Sequence, residues 1–129
     1  NTGVVTIRSA RGFDATLDSL RTTIAQRGLQ LFLDLDQQAA AQADGATMAR
    51  GHLLLFGRPK AGTPILVASP EAGIELPLKA YVWEAADGGV FVSYADPTST
   101  VTRLGLSGPL AAPLLAITAI VADALGDKA

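Results

Sequence analysis

Apolar spacing along this 129-residue chain alternates between two periods. It is two at the start, about 3.6 over residues 13–24, two again through the middle, and helical once more at the end. That order restricts the fold. VVTIR (Val4, Val5, Ile7) reads as a first strand. Phe13, Leu17, Leu20 and Ile24 then recur at steps of four, three and four, which places them on one helical face. Asp14 is expected as the N-cap and Gly28 as the residue just past the helix end. LQLFLDL follows, with Leu29, Leu31, Leu33 and Leu35 on one aliphatic face and Gln30, Phe32 and Asp34 on the other.

QQAAAQADG suggests a short helix ending at Gly45, and HLLLF (52–56) a short strand. Thr63-Pro64 reads as a cap and first helical residue, opening a short helix through ILVAS up to Pro70. LKAYVWE and VFVSY are two strands joined at AADGG, where Asp87-Gly88 signals a hairpin. Pro113 fits the first turn of a last helix carrying Leu114, Ile117, Val121 and Leu125 on one stripe, widened by Leu115 and Ile120. The order is β-α-β(4)-α, an α+β fold with an antiparallel sheet, two main helices on one face and short helical insertions between the middle strands. No linker or repeat divides residues 1–129, so one domain is expected.

Composition removes several function classes. Apolar residues make up 49% of the chain, too many for a disordered segment. The net charge of −2 and the scattered lysines and arginines argue against nucleic-acid binding. Cysteine is absent, which excludes thiolate catalysis and Cys-ligated metals. LAAPLLAITAIVA (110–122) is too short to span a bilayer, and it contains Pro113. The chain opens Asn1-Thr2-Gly3 without an initiator Met, which suggests a trimmed or mature form. The expectation is a soluble protein, cytoplasmic or periplasmic.

GRPKAGT (57–63) has two glycines five apart, near the spacing of a phosphate-cradling loop. The match fails on chemistry. Thr63 stands where the phosphate-binding Lys belongs, and Pro59 removes a backbone N–H. What survives is a helix start near Arg58, Lys60 and Thr63 able to hold a small anionic ligand, with Asp36 nearby. His52 is the only histidine, so a multi-His zinc site within one chain is impossible, and its strand position reads as hydrogen-bonded and structural. Asp34 and Asp36 point to one strand face, as a solvated strand end. Glu71, Glu75, Glu84 and Asp87 read as surface charges. Tyr81 and Trp83 share a face, joined by Phe91 if the hairpin register permits. No catalytic residue, cofactor or metal is assigned.

LFGRPKAGTPIL, IELPLKAYVWE, VFVSYADP and RLGL, in that order and spacing, resemble the DUF302 family, a domain of unknown function found mostly in bacteria and archaea. The resemblance implies a fold like that of TATA-box-binding protein and a homodimer, with the final helix and the Trp83 strand as interface candidates. It does not imply DNA binding. The chain departs from the pattern at Gln37 and Leu104, where His is usual, at Arg58 and Ala95, where Asn is usual, and at Leu66, where Met is usual. Soft or imidazole metal ligation is therefore not carried over. Two functions follow as expectations: a non-enzymatic dimeric binding or assembly module, and a small-molecule or anion-binding protein, possibly an enzyme, using the Gly57–Thr63 turn.

Overall fold

The computed structural model describes residues 2–126. Five strands form one antiparallel sheet in the order β1-β5-β4-β3-β2: β1 (Val4–Ser9), β2 (Gln30–Asp36), β3 (Gly51–Gly57), β4 (Leu78–Glu84) and β5 (Val90–Ala95). The longer helices are α1 (Phe13–Gln26), α3 (Pro59–Ala68), α4 (Pro97–Leu104) and α6 (Ile117–Ala124). Shorter pieces are α2 (Gln37–Ala43), α5 (Ala112–Leu115) and 3₁₀ turns at Pro70–Ile74 and Gly108–Leu110. The expected α+β order is present.

The helical stripe of the sequence becomes the main core. Leu17, Leu20 and Ile24 of α1 and Ile120 and Val121 of α6 bury against one sheet face, where Leu54, Phe56, Val82 and Val92 have no solvent exposure. Each such side chain contributes roughly 1.5–3 kcal/mol by leaving water. Gly28 ends α1 at φ +70°, a left-handed backbone that glycine adopts without strain, and its N–H reaches the Ala25 carbonyl at 3.0 Å. A second, smaller core joins Ile65 of α3, Ala72 of the following turn and Leu114 of α5.

Four local expectations need correction. The residue before α1 is Gly12, with no side-chain cap; Asp14 sits inside the first turn, where its charge still suits the helix dipole. The third helix opens at Pro59 and not at Pro64, because Pro59 supplies a preset φ directly after the extended Arg58. Thr63 and Pro64 therefore lie within the helix. The last helix is divided into α5 and α6 about Ala116, whose backbone (φ −62°, ψ −22°) keeps them nearly continuous. Helix α4 was not anticipated; Asp96 caps it through the Thr98 N–H at 3.1 Å, and Gly105 closes it at φ +67°.

The second strand is irregular. Leu31 pairs with Phe56 and Leu33 with Leu55, a bulge that consumes one extra residue. Opposed residues in an antiparallel pair share a face. Leu31 thus faces the helix side while Leu33 and Leu35 face away, so the purely aliphatic face does not form. Asp34 and Asp36 do share the helix side, opposite Leu54 and His52. The far face carries Leu33, Leu35, Leu53, Leu55, Tyr81, Trp83 and Phe91. Trp83 and Phe91 are direct partners and stack at 4.8 Å, as the hairpin register permits.

Candidate functional site

The two cores do not merge. Helix α3 packs through Ile65 on the smaller one, and it presents Pro59, Ala61, Gly62, Thr63 and Leu66 to the space beside α6. The result is a groove of about 670 Å³ between α3, the β2 and β4 ends, and the α5–α6 segment. Its walls are largely aliphatic: Leu29, Leu66, Leu76, Leu78 and Ile120, with Phe32 the one aromatic. Among the described residues, Arg27 and Arg58 are its only charged lining residues, and no carboxylate lines it. A Cβ added at Gly62 would meet Leu76 at 3.8 Å, an ordinary van der Waals contact, so a small side chain fits there against the groove wall.

Arg58 donates from Nη2 to the Arg27 carbonyl at 2.6 Å. A guanidinium has five N–H donors, so most of its donor capacity remains. Among the described residues Arg58 has no carboxylate partner, whereas Arg27 stands 3.5 Å from Asp123. The N-terminus of α3 adds its partial positive charge beside Arg58.

Of the four residues read from the sequence as an anion site, Arg58 and Thr63 line this groove. Lys60 is exposed and does not. Asp36 lies at the other end of the β2–β3 pair, opposite His52, while Gln30 pairs with Gly57. Arg58 lies six positions along the chain from His52, about 20 Å of extended backbone. The positions that depart from the DUF302 pattern also scatter. Arg58 and Leu66 share the groove, Gln37 opens α2, and Leu104 packs in the smaller core. Ala95 lines a separate hollow of about 140 Å³ with Tyr94 and Pro97.

Around His52 the structure builds a polar network that the sequence did not reveal. His52 donates from Nδ1 to Asp34 at 2.7 Å, and Asp36 lies 3.5 Å from Nε2 while its other oxygen caps α2. Arg21 of α1 holds Asp34 through Nε at 2.9 Å and Nη2 at 2.5 Å. Arg50 pairs with Asp14 and stands 4.2 Å over the Phe13 ring. Burial disfavours the Asp34 charge. The bonds from His52 and then Arg21, with the charges behind them, outweigh it and hold the carboxyl below its ordinary value. Every member has a partner, so the network reads as a clamp between α1 and the β2–β3 end. Among the described residues no group of three or more His, Cys, Asp or Glu side chains is placed to hold a metal. Glu75, expected at the surface, is largely covered and takes the Arg103 guanidinium at 2.9 Å.

The profile of the domain of unknown function DUF302 matches residues 5–124, and the chain belongs to that family. The crystal structure of an uncharacterized conserved DUF302 protein from Bacillus stearothermophilus superposes with a TM-score of 0.80, at 19% identity, covering 98% of each chain. That likeness shows the fold. Among curated proteins, the fluoride-specific ion channel FluC 1 of Brucella suis biovar 1 (strain 1330) is 29% identical over 113 residues, 86% of this chain and 44% of the relative. FluC 1 of Brucella abortus biovar 1 (strain 9-941) is also 29% identical over 113 residues, 42% of its length. The chain thus spans less than half the length of the curated relatives it matches.

Titration tests the clamp. A carboxyl with a lowered folded pKa stabilises the fold above its unfolded value, and that contribution is lost as pH falls through the folded value. Asp34→Asn is expected to cost about 1–3 kcal/mol at neutral pH by urea unfolding. The gap to the unaltered protein should narrow in acid below the ordinary value of 3.8. A gap that stays constant from neutral pH into strong acid would contradict the clamp.

Proposed function

We propose that this domain is a small-molecule binding module whose site is the groove beneath α3, with an anionic group of the ligand held at Arg58. One observation supports this above the rest: a groove of about 670 Å³, lined among the described residues by two arginines and no carboxylate, in a chain whose net charge is −2. That volume lies within the range of roughly 300–1,000 Å³ usual for ligand pockets. The anionic probe 1-anilinonaphthalene-8-sulfonate is expected to fluoresce on binding there. Gly62→Leu, which fills the groove from α3, is expected to abolish the signal while preserving the circular-dichroism spectrum. Equal fluorescence from the folded variant would remove the groove from consideration.

The outer sheet face supports a second role, as the contact of a homodimer. Leu33, Leu35, Leu53, Leu55, Trp83 and Phe91 point away from α1 and α6, and Leu33 is 45% exposed. A contiguous apolar face of this kind is more often an interface than a free surface. Light scattering should find a dimer that Leu33→Glu weakens at least tenfold. A monomer at millimolar concentration contradicts the role.

The curated relatives carry the name of a fluoride-specific ion channel. Conduction requires segments that cross the bilayer, and no helix of the described residues is long and apolar enough to do so. We therefore assign this domain a ligand-binding task beside such a path and no part in the path itself. Fluoride titrated with the domain should show no saturable ¹⁹F shift; a saturable shift would overturn that assignment.

A further inference from the structure

We infer that the ligand class of the groove is a single-chain amphiphile with one anionic head, an acyl carboxylate or alkyl phosphate. This rests on the binding reading above and goes further by excluding other classes. Among the described residues the lining offers two guanidiniums and the Thr63 hydroxyl as its polar side chains. A nucleotide or sugar carries many donors and acceptors, and most of them would be left unpaired against Leu29, Leu66, Leu76, Leu78 and Ile120. A bare inorganic anion pairs with Arg58 but leaves those aliphatic walls in water. A molecule with one charged end and an apolar chain satisfies both halves of the groove.

The orientation follows from the charge. The head meets Arg58, the groove cation that has no carboxylate partner among the described residues. Gly28 lies beneath that guanidinium; a Cβ there would stand 3.5 Å from Nη2, so the backbone approaches Arg58 closely. Arg27 stands beside it as the secondary cation, shared with Asp123. The chain then runs under Gly62 and Leu66 toward Ile120, where the two cores fail to meet.

Calorimetric titration of the domain with hexanoate, octanoate, decanoate, decyl phosphate and neutral decanol tests the class. Affinity is expected to rise two- to fourfold, roughly, per added methylene from hexanoate to decanoate. Decanoate and decyl phosphate should each bind at least tenfold more tightly than decanol. Their ratio identifies the preferred head. Arg58→Gln should erase the advantage over decanol while leaving decanol affinity within about twofold. Should that variant not fold, Arg27→Gln reads the same ratio, with a smaller loss expected. If hexanoate equals decanoate, or decanol equals decanoate, the amphiphile assignment fails, while binding of the sulfonate probe keeps the groove reading intact. If the sulfonate probe and all five ligands fail to bind, both readings fall together.

Discussion

Leu54, Phe56, Val82 and Val92 are sealed under α1 and α6, and this contact decides where every other element can go. The central strands contribute one face to it, and the stripe from Leu17 to Ile24 contributes the other. With α1 and α6 side by side on that face, α3 packs instead on a separate core built on Ile65, Ala72 and Leu114. Leu78 packs against both cores, and the seam between them is the groove. The proposed ligand site is thus a packing residue of the fold. Its walls needed no dedicated polar residues beyond Arg27, Arg58 and Thr63.

The two ends of the β2–β3 pair have opposite chemistry. At the His52 end, Asp34, Asp36, Arg21, Arg50 and Asp14 pair with one another and with His52 across α1 and the sheet. Such a network holds α1 in register with the strands, although each partly exposed pair adds little stability by itself. At the Gly57 end, Arg27 and Arg58 line the groove, and among the described residues no carboxylate lines it with them. A cluster whose charges already pair with one another offers less to a ligand than a guanidinium without a carboxylate partner. This contrast, more than any motif, separates the structural end from the end proposed to bind a ligand.

Much of the fold was legible because it depends on local spacing. The stripe of α1, the glycine at its end and the Asp87-Gly88 turn are decided by residues within a few positions of one another. The start of α3 was misread because Thr63-Pro64 has the same cap chemistry as Arg58-Pro59 would need, and local letters do not rank the two. Helix α4 carried its signals openly in Asp96-Pro97 and Gly105, but its polar, β-branched PTSTV gave no apolar stripe to join them. The site was only half legible. Arg58 and Thr63 are close in sequence, and both line the groove. Asp36 was assigned to them because a strand's parity fixes its face and not its partner. The His52 network needs the β2–β3 register, and the groove needs two cores to stay apart. Neither property belongs to any short stretch of residues.

The bulge between Leu31 and Leu33 has a consequence for solubility. Strand β2 is an edge of the sheet, and its exposed Leu31, Phe32 and Leu33 would otherwise form a straight, sticky border of unpaired backbone groups. Such borders invite other chains to add strand by strand and grow into fibrils. One residue out of line twists the border and interrupts its regular N–H and C=O spacing. Removing it to restore unbroken pairing would give a neater ribbon and a molecule more prone to polymerise.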